Sequence, residues 1–174
     1  MWTVRQAVPK DLSAVMEIYD KIIDLFQEQT GTRAWRKGVY PTEAVFQAAI
    51  EAGTLYVGEL DGALAAGMII TQGTDKTYGD APWQIAAEDA ETAVIHTLGV
   101  SPGAGKRGLG IKMVEGAVAL AREKGWKALR LDVLEDNAPA LRLYERAGFV
   151  YIATKAIWYE STGTANFLLY EYVL

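Results

Sequence analysis

Apolar and polar positions alternate from Trp2 to Val8, the period of a half-buried strand. Pro9-Lys10-Asp11 then prepares a helix start, with Asp11 as its expected N-cap. Leu12, Val15, Tyr19, Ile22, Ile23 and Phe26 follow at helical spacing and predict one amphipathic helix to about Gln29. A loop rich in Trp, Tyr and Gly runs from Trp35 to Pro41, and Thr42 to Glu51 reads as a short second helix. Two strand-like runs, Thr54–Leu60 and Ala63–Thr71, flank Asp61-Gly62, a strong hairpin signal.

A long polar segment, Gln72 to Thr92, separates this hairpin from a second series. It comprises a strand at Ala93–Val100, a helix at Gly110–Lys124, a strand at Ala128–Leu134, a helix at Ala138–Ala147, and strands at Phe149–Ile157 and Phe167–Val173. The stretch Ala93–Leu134 is long enough for a parallel crossover. The pattern therefore predicts an α/β fold on a mixed, mostly antiparallel sheet flanked by helices, with one parallel β-α-β unit.

With 174 residues, 51% of them hydrophobic, the chain is expected to form a single domain over 1–174. A net charge of −5 argues against a nucleic-acid partner and mildly favours a cationic substrate. The chain has no cysteine and one histidine, His96, which excludes disulfides, thiolate nucleophiles and a multi-His zinc site, so no metal is expected. No signal peptide or spanning segment is read from the sequence, so the expectations are a cytoplasmic location and no membrane partner.

The most informative stretch is Val100-Ser101-Pro102-Gly103-Ala104-Gly105-Lys106-Arg107-Gly108-Leu109-Gly110, between a strand and a helix. Glycines allow a tight turn whose N–H groups converge on one anion, and the helix adds the positive end of its dipole. Lys106 and Arg107 add full charges, so the turn reads as a pyrophosphate cradle; the plainer reading is a glycine-rich connection with two solvated cations. A Walker A loop is excluded, because Arg107 stands where the metal-binding hydroxyl belongs. Gly103, Gly105 and Gly108 match a dinucleotide fingerprint literally. However, Ser101-Pro102 intervenes between strand and glycines, and only one parallel crossover is present.

Further on stands Asn137-Ala138-Pro139-Ala140-Leu141-Arg142-Leu143-Tyr144-Glu145-Arg146-Ala147-Gly148-Phe149. Singly, these residues are a cap, a core face, a helix stop and a core aromatic. Together they resemble, at every defined position, the N-x-x-A-x-x-L-Y-x-x-x-G-F motif of the GNAT (GCN5-related N-acetyltransferase) family. Val100-Ser101-Pro102 with Gly108 and Gly110 resembles that family's acyl-CoA loop, with Gly105 where Gln or Arg is usual. Trp35, Gly38, Tyr40 and Pro41, and Ile95-His96 ahead of the loop, also look like family features.

The resemblance implies transfer of an acetyl group from acetyl-CoA to a primary amine of a small molecule or peptide, by direct attack in a ternary complex. It implies cofactor contacts from Leu98, Gly99, Val100, Gly105, Lys106, Arg107, Gly108, Leu109, Gly110 and Asn137. Backbone N–H groups around Leu98–Val100 would face the acetyl oxygen, and Tyr144 would donate to the leaving thiolate. Gly99 suits a bulge there, or equally a small residue beneath a neighbouring side chain. The base stays open among His96, Glu28, Glu91 and water. Glu28, Trp35 and Tyr40 are the acceptor-side candidates, with Tyr78, Trp83, Trp158 and Tyr159 in other variable loops. The alternative is a non-catalytic acyl-CoA-binding or sensing domain of the same fold. A homodimer is compatible with either.

Overall fold

The computed structural model describes residues 1–29, 34–104 and 107–174. Its strands are β1 (Trp2–Gln6), β2 (Leu55–Leu60), β3 (Ala63–Gln72), β4 (Thr92–Val100), β5 (Ala128–Leu134), β6 (Val150–Tyr159) and β7 (Gly163–Val173). They form a seven-stranded sheet in the order β1-β2-β3-β4-β5-β7-β6. The pairs β1/β2, β2/β3, β5/β7 and β6/β7 are antiparallel, whereas β4/β5 is parallel. The helices among the described residues are α1 (Leu12–Gln29), α2 (Glu43–Glu51), α3 (Leu109–Lys124) and α4 (Ala138–Arg146). This is the mixed, mostly antiparallel α/β architecture expected from the pattern. No helix among the described residues is long and apolar enough to cross a membrane.

The chain divides into two compact units: Met1–Ile69 with Thr97–Met113, and Ile70–His96 with Val114–Leu174. In the first, Asp61 and Gly62 both take left-handed backbone angles, φ 52° and 87°, which is the twist a two-residue hairpin needs. Val15, Ile18, Tyr19 and Ile22 form one stripe of α1 and pack with Phe46 and Ala49 of α2 and with Leu55, Val57 and Ile69. Thr42 caps α2 by accepting from the Val45 N–H. Asp11 ends a 3-10 turn at Pro9–Asp11 instead of capping α1; its carboxylate reaches back to the Val8 N–H (2.9 Å) and binds Arg5 (2.7 and 3.1 Å).

In the second unit, β7 pairs with β5 along the whole of β5 and with β6 on its other side. The parallel β4–β5 ladder is short, with three pairs from Thr92↔Ala128 to Val94↔Arg130. Asn137 caps α4 through the Ala140 N–H (3.3 Å), and Gly148, at φ 95°, takes the left-handed angle that stops it. The polar segment between β3 and β4 carries 3-10 turns at Lys76–Tyr78 and Asp89–Glu91.

Candidate functional site

In the first unit, β4 reaches the glycine-rich turn through a distorted backbone. Thr97 has φ 49°, a left-handed angle that a β-branched residue takes only under strain. Its carbonyl accepts from the Tyr19 hydroxyl, and its own buried hydroxyl has no hydrogen-bond partner among the described residues. Gly99 is not left-handed. A Cβ there would lie 2.8 Å from Ile22 Cδ1 and 3.1 Å from the Tyr19 ring, so glycine is needed for the close approach of α1. The contacts fit a small residue beneath neighbouring side chains.

Beyond β4, the Ser101 N–H donates to the Ala65 carbonyl (2.8 Å), and Pro102–Ala104 form a 3-10 turn. Gly105 and Lys106 lie outside the described residues. Arg107 is exposed. Gly108 has φ 68° and nothing within 4 Å of where a Cβ would stand. Lys112 N–H to Gly108 carbonyl is an opening hydrogen bond of α3. The N–H groups of Leu109, Gly110 and Ile111 therefore sit in its first turn, where a helix has no acceptors of its own. An open, left-handed glycine followed by the first-turn N–H groups of a helix suits a phosphate.

The second unit gathers a different chemistry around β5. Asp132 is partly accessible, and its Oδ2 accepts from the Tyr159 hydroxyl at 2.6 Å. Burial pushes its carboxyl up to about 6, against the opposing pull of the Tyr159 hydrogen bond and with a further push from the charge of Asp75. Tyr78 has no exposed surface. Its hydroxyl lies close enough to bear on Asp132, yet makes no hydrogen bond of normal geometry among the described residues. Burial, and then the Asp132 charge, hold the Tyr78, Tyr159 and Tyr144 phenols above their ordinary value, so all three remain protonated donors. Tyr144 is buried on α4, with its ring edge-on to Phe149 at 5.5 Å.

His96 lies on β4 with Nε2 3.0 Å from the Thr71 hydroxyl. Burial lowers its pKa, opposed by Asp75, so it is neutral at neutral pH.

A buried ion pair fixes the segment that carries Tyr78. Arg130 Nε donates to Glu171 (2.9 Å), Arg130 also donates to the Thr74 hydroxyl (2.7 Å), and Glu171 accepts from the Gln84 N–H (2.7 Å). Trp83 lies under the Arg130 guanidinium at 4.3 Å and meets the Tyr78 ring at 5.8 Å. Three stretches of sequence (β5, β7 and the 74–85 segment that includes the 3-10 turn at Tyr78) are thereby tied together.

Among the acceptor-side candidates, Trp35 packs against Tyr19 (5.4 Å) and Phe26 (6.4 Å) in the core of the first unit. Tyr40 follows in a tight loop closed by the Arg36 N–H and the Tyr40 carbonyl (2.8 Å). Glu28 is exposed on the last turns of α1, and Glu91 is engaged by Lys127 and by the Glu88 N–H (3.0 Å). Sequence reasoning did not single out Asp132 or Thr97. The signal for Asp132 was present: Arg130 and Asp132 put two charges on one face of an otherwise apolar central strand, which is uncommon unless they are paired or used. Thr97 left no such signal, because threonine is not a residue that left-handed backbone favours.

The family profile described as Acetyltransferase (GNAT) family matches residues 18–149. A mycothiol acetyltransferase of Beutenbergia cavernae is 43% identical over 68 residues, 39% of this chain and 23% of that protein. A streptothricin acetyltransferase of Streptomyces lavendulae is 34% identical over 70 residues, 40% of this chain and 37% of that protein. The aligned parts thus span about a quarter to a third of the length of these curated relatives. A GNAT-family acetyltransferase from Streptococcus agalactiae shares the fold, with TM-score 0.83 at 20% identity over 99% of this chain and 95% of that one. The YncA protein of Salmonella typhimurium, solved with its cofactor acetyl-CoA, superposes with TM-score 0.70 at 19% identity over 99% and 94% of the two chains.

Proposed function

The chain belongs to the acetyltransferase (GNAT) family, and from that premise we propose that it transfers an acetyl group from acetyl-CoA to a primary amine. The observation that carries this reading is the turn into α3: Gly108 is left-handed and open, and it leads directly to first-turn N–H groups that have no acceptor within the helix. Gly105, Lys106, Arg107, Gly108, Leu109 and Gly110 hold the pyrophosphate. Asn137 and the backbone of Leu98, Gly99 and Val100 hold the pantetheine arm.

Acetyl-CoA supplies an activated thioester. N–H groups at Leu98–Val100, just past the strained Thr97, stabilise the negative charge that develops on the acetyl oxygen. Tyr144, kept protonated by burial, donates its O–H to the departing sulfur. His96 is neutral and able to accept a proton, but its Nε2 is already engaged with Thr71. Glu28, Trp35 and Tyr40 belong to the acceptor side in this reading, and the chain works in the cytoplasm on a small-molecule or peptide amine.

Calorimetry should show one acetyl-CoA per chain and no comparable affinity for NAD(P)H, with release of free thiol when amines are added. Tight NAD(P)H binding without acetyl-CoA binding would overturn the assignment. Tight acetyl-CoA binding with no turnover over a broad amine panel would favour the sensing domain instead.

A further inference from the structure

We propose that the Tyr19 hydroxyl is a positioning group for acetyl transfer: by holding the Thr97 carbonyl, it keeps the peptide between Thr97 and Leu98 turned so that the Leu98 N–H meets the acetyl oxygen. This rests on the acetyl-transfer reading above and deepens it by naming the side chain that fixes a backbone donor. All the residues involved lie in the first unit.

Two features of Thr97 cost stability. A β-branched residue at φ 49° is strained, and its buried hydroxyl has no partner among the described residues. Glycine would take the same angle freely and bury no hydroxyl. So unfavourable an arrangement persists only where its surroundings over-determine it. The restraint comes from Tyr19, whose hydroxyl donates to the Thr97 carbonyl 78 positions along the chain.

The sequence prepares a seat for that tyrosine. Tyr19 stands on the buried stripe of α1. At Gly67 of β3, a Cβ would lie 3.0 Å from the Tyr19 hydroxyl oxygen and 3.2 Å from Cε2. At Gly99 of β4, a Cβ would lie 3.1 Å from Cε1, on the other edge of the same ring. Neither glycine has a left-handed backbone, so room for the ring, not conformational freedom, accounts for both. Phe46 at 4.5 Å and Trp35 at 5.4 Å pack against the ring, which cannot swing away without displacing them.

The grip matters because a peptide is planar. The Thr97 carbonyl and the Leu98 N–H belong to one rigid trans unit, in which they point in opposite directions. Holding the oxygen towards Tyr19 therefore aims the Leu98 N–H away from it. Without the grip, Thr97 relaxes towards the extended angles that its side chain prefers, and the whole unit rotates. A donor preset in direction needs no reorganisation as charge develops on the acetyl oxygen. Phenylalanine at position 19 would fill the same seat and lack the grip.

The test reads the acetyl carbonyl directly and needs no acceptor. Acetyl-CoA labelled with 13C at the acetyl carbonyl is bound to the protein. Its C=O stretch is taken from the difference between labelled and unlabelled infrared spectra. Preset donors should lower the frequency below that of acetyl-CoA in buffer. Tyr19→Phe should lose about half of this shift or more, with acetyl-CoA still bound by calorimetry. Gly67→Ala crowds the Tyr19 hydroxyl while leaving Tyr19 in place, and should lose part of the shift too. In a Thr97→Gly background the left-handed angle carries no strain, so there Tyr19→Phe should lose about half as much or less.

A Tyr19→Phe protein that melts like the parent, binds acetyl-CoA and keeps the full shift would overturn the proposal. So would a parent that shows no shift. An equal loss with Thr97 and with Thr97→Gly would reduce Tyr19 to packing, and overturns it as well. If Tyr19→Phe melts early, Gly67→Ala decides alone, and the parent's full shift there counts against the proposal. Should acetyl-CoA fail to bind the parent, the acetyl-transfer reading falls and takes this role of Tyr19 with it; binding with an unmoved carbonyl removes only the role of Tyr19.

Discussion

Asp11 in the first unit and Asp132 in the second are the same side chain in opposite circumstances. Asp11 is nearly inaccessible, yet it accepts two hydrogen bonds from Arg5 and one from the Val8 N–H. The Arg5 hydrogen bond chiefly holds its carboxyl below the ordinary value, overcoming burial. Asp132 keeps some accessible surface, has one neutral donor, and is pushed up to about 6. Where the fold uses a carboxylate to hold itself together, it supplies the cation. Where no cation stands among its neighbours, burial wins and the carboxyl is easier to protonate.

The largest effect that would sharpen this contrast is on turnover. Asp132→Asn should lower the rate of amine-dependent thiol release by roughly 10²–10⁴, without lowering the melting temperature. A variant that keeps full turnover would erase the distinction between the two carboxylates.

Next comes Asp11→Ala, which should leave acetyl-CoA binding intact but cost about 2–3 kcal/mol of folding stability, read by urea unfolding. That is below the usual cost of breaking a fully buried pair, because Arg5 is one-third exposed. The third prediction concerns sign. The folded-state pKa of Asp132 is raised, so its contribution to stability is most favourable below the unfolded value of about 3.8. That contribution declines as pH rises to about 6, then stays flat. The folded pKa of Asp11 is lowered; its contribution is present above the unfolded value and fades as pH falls through the folded one. Asp132→Asn should therefore gain about 1–2 kcal/mol at pH 7 relative to pH 4, the accessible edge of Asp132 reducing the full value. A variant whose stability tracks the parent's at both pH values would contradict this. Smallest is Gly99→Ala, expected to cost about 1 kcal/mol. Its Cβ meets the movable end of Ile22 first and the stiffer Tyr19 ring second.

Much of the architecture was legible because it is encoded locally. Asp61-Gly62 specifies its turn, Asn137 and Gly148 bracket α4, and the apolar stripe of α1 announces its buried face. The turn before α3 and Tyr144 stood out in the sequence through a family motif. Asp132 was not, because its meaning depends on Tyr78 and Tyr159, which come from segments far away in the chain and read as loop aromatics. The strain at Thr97 was not legible either, since residue type argues against it. Nor did the pattern reveal that Trp83 would lie between Tyr78 and Arg130 rather than line a pocket.

The latch on Glu171 also has a consequence in time. The Gln84 N–H waits for a carboxylate 87 positions later in the chain. At ribosomal speeds of roughly 5–20 residues per second, that is a delay of about 4–17 s. Until then the Tyr78 segment lacks the carboxylate that fastens it. A greasy segment would adhere to other nascent chains in that interval. This one is mostly polar or small, with Tyr78, Trp83 and Ile85 its large apolar residues, so it can stay hydrated until β7 is made and Glu171 closes on Arg130. The acidic half of the anchor, Glu171, is thus the last part of it to be made.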